Sequence, residues 1–199
     1  MLLYDSGVSG NCYKVRLLLA HLGIPYERVE MDVVDRSSRE AVIRRERNPA
    51  LRVPTLVLDD GRALPESNAI LWWLGDGTAY VPTDPWERAQ VLQWQFFEQY
   101  DHEPNIAVAR FWLHVRPGEV DPEKLAGWHA GGNRALTALE THLASREFLV
   151  GERYSIADIS LYAYTHVAEE GGFDLGAYPG VTAWLDRVVA QPGHVPIDG

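Results

Sequence analysis

Apolar positions near the start of the chain recur with helical spacing. From about Asn11, the residues Val15, Leu18, Leu19 and Leu22 fall at i, i+3, i+4 and i+7, which predicts one buried face of an amphipathic helix. LLYD at 2–5 precedes it as a short strand, and GVSG as the connecting loop. Gly23 and Pro25 supply the stop. YERVEMD at 26–32 then alternates, with Val29 and Met31 on one side, and predicts a second strand. A strand, helix and strand in so short a stretch imply a right-handed crossover and a parallel pair. Residues 36–47 are polar and predict an exposed helix or loop. TLVL and RALPE flank the turn DDGR, an antiparallel hairpin around Asp-Gly. A helix starts near Ser67, with Ile70, Leu71 and Leu74 inward. Residues 1–75 therefore read βαβ and then ββα, a small mixed sheet covered by helices.

The pattern changes at GDGTAYVPTDP, where Gly, Pro, Thr and Asp replace periodic apolar positions. Residues 76–84 are placed as a linker and 85–199 as a second, all-helical domain. A long helix opens at Pro85; Pro104 is expected to interrupt or kink it before NIAVARFWLHV resumes. Further helices are predicted over about Glu123–Ala144 and Val181–Ala190. SIAD at 155–158 has the S-x-x-D form in which serine and aspartate cap a helix start reciprocally, a folding signal. The fold class is α/β plus all-α.

Charge is unevenly placed. Residues 1–75 carry ten Lys/Arg and ten Asp/Glu, so the whole net charge of −10 lies in residues 76–199. An acidic chain lacks the clustered cations that phosphates need, so nucleic acid is not an expected partner. No segment approaches the ~20 apolar residues of a membrane span, and nothing resembles a signal peptide, so the expected location is cytoplasmic. One cysteine excludes an internal disulfide. The seven histidines show no ligand spacing, and no metal is expected.

The candidate chemistry lies at SGNC, residues 9–12. A thioredoxin-like unit places its reactive group at the start of its first helix, as C-x-x-C in redox members. Here the pattern is S-x-x-C, so a dithiol mechanism within the chain is excluded. A serine hydroxyl at a helix N-terminus can donate to a thiolate held above it, and the helix dipole favours the same charge. A hydrogen bond to a charged group is worth about 1.5–3 kcal/mol, which lowers a bound thiol's pKa by about one to two units. Simple N-capping is the structural alternative for Ser9, and Asn11 is a rival donor. Cys12 reads as a small buried hydrophobe.

Two further motifs suit a ligand. In RVP at 52–54, a cis Val53–Pro54 bond would turn the Val53 backbone toward a ligand. Glu66-Ser67 opens a helix whose amides and hydroxyl suit a carboxylate, while Glu66 could accept an ammonium group. Carboxylate and amine side by side describe the end of an amino acid or peptide.

SGNCYKVRLLLAHLGIPYE, NPALRVPTLVLDDGRALPESNAILWWL and FLVGERYSIADISLYAYTHVA together resemble the cytosolic glutathione transferases across essentially the whole chain, most like bacterial members with a serine-type site related to the theta, zeta and beta groupings. The resemblance implies a thioredoxin-like N-terminal domain, a helical-bundle C-terminal domain and a homodimer. It implies glutathione as co-substrate, with a hydrophobic electrophile or peroxide as acceptor. Ser9, with Asn11 as rival, would be the thiolate donor. The resemblance makes Val53–Pro54 the cis bond, with Val53 pairing to the cysteinyl backbone, and gives the γ-glutamyl end to Glu66 and Ser67. Arg52 would meet a glutathione carboxylate, and Arg39 would approach the glycyl end. The acceptor pocket would be walled by the Pro104-kinked helix, with Tyr100, Val108 and Trp112 as candidates. Two departures stand out: Leu51 replaces the glycine common before the [KR]-VP motif, and Tyr4 lies too far inside its strand to act as a tyrosine-type donor. Cys12 leaves glutathionylation or a mixed disulfide open. The alternatives are a glutathione-dependent disulfide oxidoreductase and a non-catalytic interaction module of the same fold.

Overall fold

A computed structural model describes residues 1–199, in two compact units: Met1–Asp76 together with Pro192–Gly199, and Gly77–Gln191. The first unit is built on a four-stranded sheet of order β2-β1-β3-β4. β1 (Leu2–Asp5) pairs in parallel with β2 (Glu27–Glu30), Leu2 opposite Glu27. β3 (Thr55–Val57) runs antiparallel to β1, and β4 (Ala63–Pro65) antiparallel to β3. The parallel crossover and the hairpin are those that the period-2 pattern predicts.

Alternation along the strands sorts the two faces. Tyr4, Met31, Ile43 and Val57 form one cluster, with Val29, Leu51 and Val53 against it. Between the strands of the parallel pair lies α1 (Gly10–Leu22). It ends at Gly23, which takes φ 63°, a left-handed conformation that glycine adopts without strain, and the Ile24 amide reaches back to the Leu19 carbonyl. A single short turn, α2 (Arg39–Val42), stands within the polar 36–47 stretch, and α3 (Ser67–Gly75) packs on α1.

α1 is less amphipathic than its spacing predicts. Gly10 and every residue from Cys12 to Leu19 are buried, including Lys14 and Arg16. Part of the reason is the end of the chain, which the sequence pattern assigns to the helical domain. Pro192–Gly199 returns to the first unit and bonds to α1. Tyr13 Oη donates to the Val195 carbonyl at 2.6 Å, Arg16 Nη2 to the Ile197 carbonyl at 2.5 Å, and the His21 ring meets the Pro192 carbonyl at 2.9 Å.

The second unit is helical. α4 (Pro85–Phe97) is capped by Asp84, which accepts from the Trp86 and Glu87 amides, with Pro85 in the first turn. Pro104 does not break the helix that follows. A π-helical turn at Glu98–His102 leads straight into α5 (Glu103–Arg110), and a second π turn spans Phe111–Val115. The wider turn takes up the proline, whose ring would clash with a carbonyl four residues back in a regular α-helix. α6 (Pro122–Leu143), α7 (Ile156–Thr165) and α8 (Pro179–Val189) complete the unit.

α7 is buried along its whole length, and SIAD holds it. Ser155 Oγ accepts from the Ala157 amide, while Asp158 Oδ2 accepts from the Ser155 amide at 2.9 Å. Asp158 Oδ1 also takes the Leu149 amide at 3.0 Å and Trp184 Nε1 of α8 at 2.9 Å. One carboxylate therefore joins the helix start, the preceding loop and the last helix.

Two outcomes follow. Deleting Pro192–Gly199 removes the tail carbonyls that Tyr13 and Arg16 bond and opens that part of α1 to water, at about 0.5–1.5 kcal/mol per lost hydrogen bond, and should lower Tm by about 5 °C or more; an unchanged thermal transition would refute the role of the tail. Burial raises the Asp158 carboxyl from 3.8 to about 6, against the four donors that favour its ionised form. Folding therefore favours the protonated group. That contribution is fully present below about pH 4 and is lost as pH rises through about 6. Asp158→Asn should remove this slope from stability measured between pH 4 and 7; parallel wild-type and variant curves would contradict it.

Candidate active site

Asp5 ends β1 in a fully buried position. Its carboxylate accepts two bonds from Arg16 Nη1, at 2.7 and 2.9 Å, and pairs with Arg28 Nε at 2.5 Å. Arg16 also donates to the carbonyls of Ser6 and Gly7. The loop between β1 and α1 is thus held from below by a cation on its own helix. The Ser9 amide closes it by bonding the Ser6 carbonyl at 3.0 Å.

Ser9 is the N-cap of α1, half-buried and extended at φ −86°, ψ 119°. Its Oγ accepts from the Cys12 amide at 3.4 Å. Capping and thiolate donation therefore do not compete: the cap uses an oxygen lone pair, and the hydroxyl hydrogen is a separate donor. Cys12 is fully buried, and its thiol is pushed well above the ordinary range, first by burial and then by the charge of Asp5. Both effects disfavour the thiolate, which is the reactive form of a cysteine.

Asn11 stands in the first turn of α1. Its Oδ1 accepts from Lys14 Nζ at 2.8 Å and from Ser67 Oγ at 3.2 Å. The Ser67 bond joins the two motifs that sequence separates by 56 residues. It also alters the expected part of Ser67, whose buried hydroxyl is turned to Asn11. An incoming carboxylate would be met by the amides at the start of α3. Glu66, exposed at that start, does not cap the helix with its side chain and sits at φ 71°, ψ 113°. Such a backbone costs an L-residue about 1–3 kcal/mol and clusters at ligand-binding positions.

The Val53–Pro54 bond is cis. Val53 precedes the paired part of β3, so its peptide groups enter no strand pairing. Asn48, buried, holds the turn by donating to the Arg52 carbonyl at 2.9 Å, and Thr55 Oγ1 bonds the same carbonyl at 2.8 Å. The Arg52 side chain is exposed. Leu51, in the place of the common glycine, takes φ 52° and packs on the Tyr4 cluster. The left-handed turn survives the substitution because apolar packing offsets its strain. Arg39 lies apart from these exposed groups. It is 4 % exposed, donates to the carbonyls of Asp32 and Leu51 at 3.0 and 3.1 Å, and braces the loop from behind. Tyr4 is buried, its hydroxyl accepting from Arg47 Nη1 at 2.6 Å. Tyr100 projects from the first π turn and is exposed.

Lys14 is the residue of this site that sequence reading missed. The signal was present, because Lys14 follows Asn11 by three positions and i, i+3 residues share a helix face.

The sequence profile described as Glutathione S-transferase, N-terminal domain matches residues 3–79, and that described as Glutathione S-transferase, C-terminal domain matches residues 111–192. The chain belongs to the glutathione S-transferase family. A solved glutathione S-transferase from Pseudomonas fluorescens is 51 % identical with TM-score 0.93, covering 98 % of each chain. Disulfide-bond oxidoreductase YfcG of Escherichia coli is 27 % identical over 92 % of this chain and 87 % of its own length. Elongation factor 1-gamma of Danio rerio is 38 % identical over 72 % of this chain, which spans only 33 % of that protein. No helix is long and apolar enough to cross a membrane.

The strain at Glu66 makes a direct prediction. Glycine is ordinarily less stable than alanine by about 0.5–1 kcal/mol. At φ 71° the order should reverse, Glu66→Gly unfolding at higher denaturant than Glu66→Ala; alanine equal to or above glycine would show that the position is unstrained.

Proposed function

We propose that the protein is a glutathione transferase that ionises the thiol of bound glutathione for attack on a small hydrophobic electrophile. The observation that carries this reading is the Ser67–Asn11 hydrogen bond, which sets a thiolate-type helix start and a peptide-type anion site side by side. In this reading the Ser9 hydroxyl and the Asn11 amide donate to the sulfur. The Val53 peptide pairs with the cysteinyl backbone, Glu66 takes the γ-glutamyl ammonium, the amides at Ser67 take its carboxylate, and Arg52 meets a second carboxylate. The thiolate then attacks the electrophilic carbon, the leaving group departs with the bonding pair, and the thiol proton is released to water. The proposed setting is a cytoplasmic homodimer.

A second reading is supported by the burial of Cys12 and by the likeness to the oxidoreductase. Two glutathione molecules would carry out disulfide exchange at the same helix start, with no protein sulfur involved. A non-catalytic interaction module of the same fold would not require a donor set at Ser9 and Asn11.

Absorbance titration of the bound thiolate separates these readings. Wild type should ionise glutathione about one to two units below its solution value. Ser9→Ala should restore most of that difference and lower kcat/KM with an aryl halide about tenfold or more. Disulfide reduction far exceeding conjugation would select the second reading, and absence of glutathione binding would refute both.

A further inference from the structure

Lys14 is fully buried in the first half of α1, and nothing in the proposed chemistry yet uses it. Burying an ammonium is costly unless polar partners meet it, so its position calls for a physical reason. Its Nζ lies 2.8 Å from Asn11 Oδ1, the atom that also accepts from Ser67 Oγ. We propose that Lys14 is a positioning residue of the thiolate site, which acts through Asn11: the ammonium and the Ser67 hydroxyl grip the amide by its oxygen and present its NH2 end to the sulfur of bound glutathione. This rests on the transferase reading above, in which Asn11 is a donor to that sulfur.

The chemistry of the donor set fixes the orientation. An ammonium has three donors and no acceptor, so an asparagine beside it must turn its oxygen inward. A flipped amide would set N–H against N–H. With the oxygen held by two donors, the opposite edge of the amide plane carries both remaining hydrogens. A water-facing asparagine has no such constraint and pays side-chain entropy to donate. The cation does more than orient. Charge-assisted hydrogen bonds are about twice as strong as neutral ones, and successive bonds polarise one another in a low-dielectric interior. Electron density drawn toward Oδ1 leaves the Nδ2 hydrogens more positive and so better partners for a thiolate than for a neutral thiol. A group that favours the charged form lowers the pKa. Lys14 thereby lends positive character to the site without touching the ligand. The same arrangement explains why Ser67 is turned to Asn11: the α3 start that receives one end of the peptide also steadies the donor at its middle.

The test is the thiolate titration with glutathione as the probe, on wild type, Lys14→Met, Lys14→Gln, Asn11→Ala and the double variant Lys14→Met/Asn11→Ala. Methionine matches the length of the lysine stem without charge or donor. Glutamine keeps an N–H donor without charge, and serves alone if the methionine variant does not fold. Lys14→Met should raise the bound thiol's pKa by about one unit, toward the solution value. It should lower kcat with an aryl halide several-fold while leaving the Kd for S-methylglutathione, which has no thiol to ionise, within about threefold of wild type. Lys14→Gln should fall between the two. The double variant should be no worse than Asn11→Ala, because residues acting in series do not add. A wild-type pKa retained in Lys14→Met and Lys14→Gln overturns the proposal while the transferase reading stands. Additive losses in the double variant overturn it too, since Lys14 would then act by another route. A wild type that shows no depressed thiol pKa overturns the transferase reading, and this proposal with it.

Discussion

The buried carboxylate of Asp5 is the constraint on which the first unit is arranged. It sits where β1 gives way to the loop that leads to α1, with no exposure to solvent. Arg16 from α1 and Arg28 from β2 both bind it. Arg28 is balanced in turn by Glu30, and the carbonyls of Ser6, Gly7 and Ile197 accept the further donors of Arg16. Removing one member of such a group strands the others, at about 3–5 kcal/mol. The loop from Ser6 to Ser9 has therefore little freedom, and the start of α1 inherits its rigidity.

That rigidity is what a donor site requires. A hydrogen-bond donor contributes most to an anion when it is held in place beforehand, because it then has no reorganisation to undergo. Ser9 is fixed by capping, Asn11 by two donors on its oxygen, and the Arg52–Thr55 turn by Asn48 and Arg39. Strain concentrates in the same region. Leu51 and Glu66 both hold positive φ, one before the cis bond and one at the start of α3. Packing on the Tyr4 cluster and the Arg39 bond to its carbonyl hold Leu51 in this conformation against its local preference.

The helical unit solves a different problem with a similar device. α7 has no solvent-facing side, so its start cannot rely on water to satisfy its amides. Asp158 and Ser155 satisfy them internally, and the Trp184 indole adds a bond from α8. In α4 and α5 the chain keeps helical continuity past Pro104 by widening a turn.

Much of this was legible in the linear pattern. Period-2 and period-3.6 spacing located the strands, the crossover helix and the Asp-Gly hairpin, because those elements depend on neighbours a few residues away. The capping box was readable for the same reason, and so were the family motifs that single out Ser9, Val53–Pro54 and Glu66-Ser67. Tertiary structure decided the rest. Spacing could not show that Pro192–Gly199 folds back over α1, since hydrogen bonds from Tyr13 and Arg16 to backbone carbonyls carry no side-chain signature in the partner. It could not place Arg39 behind the loop, bury Lys14 against Asn11, or turn Ser67 to the same oxygen. Local sequence determines which backbone conformations are cheap and which face is apolar. Which polar groups meet in a buried space is settled only when segments far apart in the chain share it.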